Sequence, residues 1–82
     1  MRTVLAHVMN EDPFLAEVVE LPGHTDTCVE FLNPRQRDGK PLRYVNHGMS
    51  SIIFPLHRIS FLEVMASEEE RAQLVEFFRE RS

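Results

Sequence analysis

The sequence predicts a mainly β protein, a small and partly open antiparallel barrel with one C-terminal helix. Two apolar, β-rich runs, residues 52–54 and 59–64, are separated by only four residues that begin with Pro55. Proline lacks a backbone donor, so one continuous central strand cannot run through this point. Four residues are also too few for a helical crossover between parallel strands. We therefore expect two strands joined by a tight turn or a single 3₁₀ turn that changes the chain direction sharply.

Length and composition fit one domain over residues 1–82. Apolar residues make up 43% and charged residues 27% of the chain, values that are typical of globular proteins and exclude disorder. A chain of this length buries a modest core, and oligomerisation is a common supplement to its stability. The single cysteine, Cys28, excludes an internal disulfide and a cysteine-rich zinc site. The chain shows neither a secretory leader nor a membrane-spanning run, so we expect a cytoplasmic protein without membrane contact.

The first part of the chain contains three candidate strands. Residues 2–9 alternate loosely and predict a strand that ends at a turn. Residues 14–21 are ambiguous, because Asp12 and Pro13 suit the start of a helix. Eight residues are short for a helix and normal for a strand, so we favour a strand, or a helical turn that leads into one. Residues 27–32 alternate again and predict the third strand.

The middle of the chain is dominated by turn signals. Residues 33–40 predict a hairpin connection, in which Asp38 and Gly39 form the turn because glycine accepts positive φ. The returning strand is expected over residues 42–45. Residues 46–48 indicate a second turn before the two apolar runs.

Residues 67–81 predict the C-terminal helix. Ser67 and Glu70 have the spacing of a capping box, in which each side chain bonds the backbone amide of the other. Acidic residues in the first turn and arginines in the last complement the helix dipole. The apolar face is short and consists of Leu74, Val75, Phe77 and Phe78. We expect this face to lie across an end or an open side of the sheet, or else to bind a second copy, with Leu74, Phe77 and Phe78 as the self-association candidates.

Positive charge is concentrated in residues 34–43, although the whole chain carries a net charge of −4. Nucleic-acid binding needs reachable cations for phosphates and an exposed aromatic ring for base stacking. The candidates for such a site are Arg35, Arg37, Lys40, Arg43 and Tyr44. The alternative, which we favour, is a solvated hairpin whose charges prevent edge-to-edge aggregation. Four cations would neutralise few phosphates.

The remaining polar residues suggest little chemistry. His57 and Arg58 could bind an anion at their turn, but such a histidine more often caps a backbone carbonyl. The spacing of the four histidines and Cys28 matches no known zinc-binding pattern. We expect the Cys28 side chain to lie in the protein core, since it alternates within a predicted strand. Phosphate-loop, nucleophile-elbow and paired-carboxylate motifs are missing from the sequence. We therefore expect a non-enzymatic protein with no cofactor, no metal and no small-molecule substrate.

The order of short strands, the turn at Asp38 and Gly39, and the closing turn over residues 52–59 resemble an SH3-like or Sm-like small barrel. The resemblance covers roughly residues 14–65 and leaves the helix outside. The Asp-x-x-Met-Asn and Ile-Arg-Gly segments of Sm-like proteins are missing, so their RNA-binding residues do not transfer to this chain. Separately, residues 55–59 resemble the Pro-x-His-Arg-Ile element of a small archaeal-type domain that is thought to recognise RNA ends.

Two functional hypotheses follow from these features. The first is a non-enzymatic interaction or scaffold module that self-associates, either through a strand edge or through the face that contains Phe77 and Phe78. Its partner is a second copy of the chain. The second is a weak RNA-binding module that uses the basic hairpin, with Arg58 as a further contact. It predicts a steep loss of affinity with salt.

Overall fold

The computed structural model describes the backbone of residues 1–81 and the side chains of residues 1–75 and 79. Five antiparallel strands form one curled sheet, a half-barrel, in the order β4-β3-β2-β1-β5, and one helix follows. The elements are β1 Arg2–Val8, β2 Phe14–Val18, β3 Cys28–Arg35, β4 Ser51–Pro55, a 3₁₀ turn Leu56–Arg58, β5 Ile59–Val64 and α1 Glu68–Arg81. This arrangement confirms the predicted mainly β fold with a C-terminal helix.

β1 and β2 form because their apolar residues alternate. Every second residue of β1 from Val4 onwards, and every second residue of β2, points into the half-barrel and is buried, which is the period of a strand with one covered face. These inward residues are Val4, Ala6, Val8, Phe14, Ala16 and Val18. The strand interpretation of residues 14–21 is therefore confirmed, although the strand ends at Val18. Between the two strands, Asn10 adopts φ 67°, a conformation that asparagine tolerates.

β3 is longer than predicted because it continues past Leu32 through an irregularity. Asn33 adopts φ 52°, and the register against β2 shifts between the pairs Glu17↔Leu32 and Leu15↔Arg35. Such a bulge inserts one extra residue into a strand and changes which face the following side chains occupy. The bulge places Arg35 on the outer face of the sheet, opposite Leu15 and close to Glu17.

The predicted strand over residues 42–45 is wrong. This segment is a turn in which the Val45 amide donates to the Leu42 carbonyl, and β3 pairs instead with β4. The core contacts explain the difference: Leu42 is buried and Val45 packs against the core. A spacing of three residues suits a turn, whereas a strand would bring alternate residues to the core. The two turn signals are confirmed, because Gly39 and Gly48 adopt φ near 90°.

The predicted two strands around Pro55 are confirmed, with a single 3₁₀ turn between them. The Leu56 amide donates to the Thr27 carbonyl at 2.9 Å, and the Met9 amide donates to the Arg58 carbonyl at 2.8 Å. These bonds attach the turn to the start of β3 and to the end of β1. The turn therefore carries the chain from one edge of the sheet to the other.

The core lies inside the half-barrel, where Phe14, Phe31 and Phe54 meet. The rings of Phe14 and Phe31 pack edge to face with centroids 5.2 Å apart, and Phe54 lies within about 6 Å of both. Phe14 and Phe31 are fully buried. The three central strands therefore supply most of the core, and Phe54 reaches it from the edge.

The helix begins with the predicted capping box. The Ser67 amide donates to Glu70 Oε1 at 3.1 Å, and the Glu70 amide donates to Ser67 Oγ at 3.2 Å. The Arg2 guanidinium joins the helix to the sheet by donating to Glu70 and to the Met65 carbonyl. All described side chains of α1 are exposed, so the described part of the predicted apolar face is not buried against the sheet. Within residues 1–81, no helix is long and apolar enough to cross a membrane.

Candidate functional site

A shallow cleft of about 530 Å³ separates the β1–β2 turn from the loop between β3 and β4. The loop contributes most of the predicted nucleic-acid candidates, and the turn contributes acidic residues. The cleft is lined by Glu11, Asp12, Pro13, Gln36, Arg37, Asp38, Leu42, Arg43 and Tyr44. Of the five basic-hairpin candidates, the structure thus gathers Arg37, Arg43 and Tyr44 in one place.

Arg35 does not join this cleft, because it is held by partners on the outer face of the sheet. Its two terminal nitrogens each donate to a Glu17 oxygen at 3.0 Å, and one also donates to the Asn33 carbonyl at 2.8 Å. Bidentate pairs of this kind are the stronger charge-assisted hydrogen bonds. Arg35 is therefore engaged in the fold and is a poor phosphate ligand.

Lys40 lies at the tip of the loop, where it is largely exposed. Its amide donates to Asp38 Oδ1 at 3.0 Å, and its Nζ lies 3.9 Å from the second oxygen of the same carboxylate. The Gly39 amide donates to the Gln36 carbonyl and closes the turn. The loop tip is thus organised by its own turn bonds, as in the solvated-hairpin alternative.

The cleft is not a positively charged site. Glu11, Asp12 and Asp38 oppose the guanidinium groups of Arg37 and Arg43 across the same opening. Burial, together with the negative charges of Glu11 and Asp12, raises the pKa of the Tyr44 hydroxyl. The surroundings of this tyrosine are therefore partly acidic. A phosphate in the cleft would be repelled by the carboxylates as well as attracted by the arginines.

Glu17 is a residue that the sequence analysis missed. It accepts hydrogen bonds from Arg35 and from Thr3 Oγ at 3.2 Å, and all three side chains lie on the outer face of β1–β3. The hydrogen bonds and the charge of Arg35 lower the pKa of the Glu17 carboxyl, against the opposing effect of its burial. The bulge at Asn33 creates this contact, and the local sequence does not reveal which strand will pair with it.

His57 and Arg58 lie in the 3₁₀ turn, apart from the cleft that holds Arg37 and Arg43. Both side chains are exposed, while the Arg58 carbonyl is bonded to the Met9 amide. The turn therefore contributes to the fold through its backbone. The structure does not bring the two predicted anion-binding regions together.

The two edges of the sheet form the second candidate surface. β4 and β5 lie at opposite ends of the strand order, so each pairs with a single strand within residues 1–81. Their inward apolar residues are only partly buried, namely Ile52, Phe54, Ile59 and Leu62. Ile53 on β4 and Phe61 on β5 are exposed by 64% and 54%. The interior of the half-barrel is thus incompletely covered along its open side.

A small cluster on the outer face of β5 was also missed by the sequence analysis. The ring of His7 stacks on Phe61 with centroids 4.0 Å apart, and His7 Nε2 lies 2.7 Å from Glu63 Oε1. The pairs His7↔Phe61 and Leu5↔Glu63 in the β1–β5 ladder bring these side chains together. The contact depends on pairing between strands more than fifty residues apart, for which the sequence carried no motif.

Two further expectations concern Cys28 and the helix face. Cys28 is exposed, which corrects the expectation that it lies in the core: Val29 and Phe31 occupy the inward positions of β3, so Cys28 lies on the other face. Leu74 is also exposed, while Phe77 and Phe78 lie outside the described side chains.

Within the part of the chain that the structure describes, no three His, Cys, Asp or Glu side chains are grouped so that they could hold a metal ion. A scan of protein-family models and searches of curated proteins and of solved structures find no match to this chain.

Proposed function

We propose that this domain is a non-enzymatic interaction module that self-associates through its open sheet edges. The observation that carries the proposal is the pair of edge strands, β4 and β5, whose outer backbone groups and partly buried apolar side chains have room for another strand. An exposed edge strand is a template for pairing with a further chain. A second copy of the same chain is the partner that the proposal names.

Energetics favour association of such a domain. Its fully buried residues come almost entirely from β1, β2 and β3, while β4 and β5 contribute partly covered apolar side chains. Each Å² of apolar surface removed from water contributes roughly 25 cal/mol. Covering the open side would therefore add stability that a chain of 82 residues cannot obtain from its own small core.

The proposed relation to SH3-like or Sm-like barrels is supported by the strand order and by the 3₁₀ turn between the last two strands. A fold relation by itself does not imply a ligand. The proposal of self-association therefore depends on the edges and not on that resemblance.

The test is the solution mass, measured by light scattering on a size-exclusion column over a range of protein concentrations. We expect an oligomer whose fraction increases with concentration and survives moderate salt, because backbone hydrogen bonds and apolar contacts hold it together. The double variant Arg37→Ala/Arg43→Ala, which alters only the cleft, should assemble like the original chain. A monomer at every concentration would overturn the proposal.

A second candidate function is weak binding of single-stranded RNA in the cleft. The observation that favours it is the grouping of Arg37, Arg43 and Tyr44, which offers two cations and a half-exposed aromatic ring in one opening. The three carboxylates in the same cleft weaken this candidate relative to self-association.

Fluorescence anisotropy with a labelled single-stranded RNA tests the second candidate. Affinity should fall between about 50 and 200 mM salt, and the Arg37→Ala/Arg43→Ala variant should bind at least several-fold more weakly. Arg71→Ala is the matched control, since it removes an exposed cation from the helix. Equal binding by both variants would contradict a site in the cleft.

A further inference from the structure

We propose that two copies pair through β4 alone, antiparallel and around a two-fold axis at Ile53. This inference rests on the proposed self-association and specifies which edge carries it. The two edges differ in charge and in their neighbouring elements, and both differences favour β4.

The hydrogen-bond pattern shows which groups of β4 face outwards. The Leu56 amide donates to the Thr27 carbonyl, and the ladder continues through Val29↔Phe54 and Phe31↔Ile52. Residue pairs in an antiparallel ladder alternate between hydrogen-bonded and non-hydrogen-bonded, so every second residue bonds to β3. The residues in between are Ser51, Ile53 and Pro55. Ser51 and Ile53 direct their backbone groups to the open edge, whereas the Pro55 carbonyl begins the 3₁₀ turn.

In an antiparallel pair of two copies, the outward backbone groups of one β4 can bond to the same groups of the other. With Ile53 opposite Ile53 of a second copy, each Ile53 amide faces the Ile53 carbonyl of the other copy. Proline has no amide to donate, and in this register it lies at the end of the new ladder, where a missing donor is tolerated. The arrangement aligns the full length of Ser51–Pro55 on both copies and forms two reciprocal backbone hydrogen bonds at Ile53.

The charge pattern also permits two copies to approach. Ser51–Pro55 contains no charged residue, whereas protected edges usually carry one. The nearest carboxylate, Glu30, lies one strand inwards and accepts a bond from Ser51 Oγ at 2.9 Å. The Glu30 residues of two copies would be three strand spacings apart, roughly 14 Å, and salt screens charges at that distance.

The β5 edge is less suited to the same role. Glu63 places a carboxylate on that strand, and its end adjoins the helix, where Val64, Ala66 and Leu74 line a shallow recess. The ion pair between Arg2 and Glu70 holds the start of the helix beside the recess. A strand that paired with β5 would approach this charge and the first turns of α1, whereas β4 itself carries no charged residue.

The partner that we name is a second copy, because an identical strand matches β4 in length, spacing and lack of charge by symmetry. On the outer face, each Ile53 side chain would cover the other, and both are 64% exposed in the single chain. Pairing of two five-residue strands buries a small area, so we expect a dimer that dissociates in the micromolar range.

Disulfide cross-linking in the Cys28→Ser background tests the register. Hydrogen-bonded antiparallel pairs have Cα atoms about 5.5 Å apart, which a disulfide spans. Ile53→Cys should therefore form a covalent dimer on mild oxidation. Ser60→Cys, an exposed residue of β5, is the matched control and should remain uncoupled.

The outcomes separate this inference from the proposed function. Cross-linking of Ser60→Cys alone, or only in a mixture of the two cysteine variants, would overturn β4–β4 pairing but leave self-association intact. A chain that sediments as a monomer at all concentrations would overturn both.

A charged substitution at the centre of the proposed β4–β4 ladder tests the pairing independently. Ile53→Lys would place two ammonium groups opposite each other, so we expect the dimer dissociation constant to increase roughly tenfold or more. The exposed side chain predicts no loss of monomer stability in urea. Phe61→Lys makes the corresponding change on β5 and should leave the dimer intact. Unchanged dimerisation of Ile53→Lys would contradict the proposed pairing.

Discussion

Two of the central strands, β1 and β2, and the two edge strands β4 and β5 have similar apolar content but very different burial. Alternate residues of β1 and β2 are buried, whereas no residue of the fully described strands β4 and β5 is. The long apolar stretch over residues 52–64 is therefore among the least covered strand regions of the chain. Position in the sheet decides burial here, because a central strand has neighbours on both sides and an edge strand has one.

Replacing one phenylalanine in each region should give the largest contrast. Phe31→Ala removes a fully buried ring that contacts Phe14 and Phe54, and it should lower the free energy of unfolding by about 3–5 kcal/mol. Phe61→Ala removes an exposed ring that stacks on His7, and it should cost about 1 kcal/mol or less. Urea unfolding followed by circular dichroism measures both.

A milder core variant keeps this comparison measurable if Phe31→Ala does not fold. Phe31→Leu retains most of the side-chain volume, so it should lower the free energy of unfolding by less than Phe31→Ala does. If the Phe31 and Phe61 variants lowered the free energy of unfolding equally, β5 would have to be covered in solution, as an interface on that edge would require.

The contrast between centre and edge also applies to the ion pairs. Glu17 and Arg35 are both largely covered, while Glu63, the partner of His7, is mostly exposed. Glu17→Gln should lower the free energy of unfolding by about 1–2 kcal/mol, since it removes the charge from a bidentate hydrogen-bonded pair. Glu63→Gln should have a smaller effect, as exposed pairs contribute little.

The Glu17 pair also predicts a pH dependence. The pKa of the Glu17 carboxyl is lowered in the folded state, so its contribution is complete above the unfolded pKa and is lost as pH falls through the folded pKa. Urea unfolding of the original chain should therefore show a decrease in stability on acidification below about pH 5. The decrease should be smaller in Glu17→Gln. Parallel pH profiles for the two proteins would contradict the assignment.

The sequence predicted the regular strands and helix well because their signals are local. Alternation identified β1, the length of the apolar segment favoured a strand for β2, Pro55 located the turn between the edge strands, and Ser67 with Glu70 located the start of the helix. The same reasoning failed over residues 42–45, where apolar residues suggested a strand but contact the core three residues apart. A short segment with two apolar residues does not reveal which period its contacts follow.

The candidate sites were less predictable because they depend on pairing between distant segments. Arg35 was grouped with its charged neighbours in the sequence, yet the bulge at Asn33 directs it to Glu17 on another strand. The carboxylates opposite Tyr44 come from the β1–β2 turn, more than thirty residues earlier in the chain. Which strands lie at the edges is likewise a property of the whole topology, and the edges carry the proposed function.

The smallest expected effect on the sheet comes from the helix cap. Ser67→Ala removes the side-chain oxygen that accepts from the Glu70 amide, which should destabilise the helix by about 1 kcal/mol. The described helix side chains are exposed, so this loss should appear as a weaker helical signal near 222 nm while the urea midpoint of the sheet stays unchanged. Ser60→Ala on β5 is the matched control and should change neither signal. If Ser67→Ala instead shifts the midpoint of the sheet, the helix and the half-barrel unfold as one cooperative unit, and the helix face would then stabilise the sheet in solution.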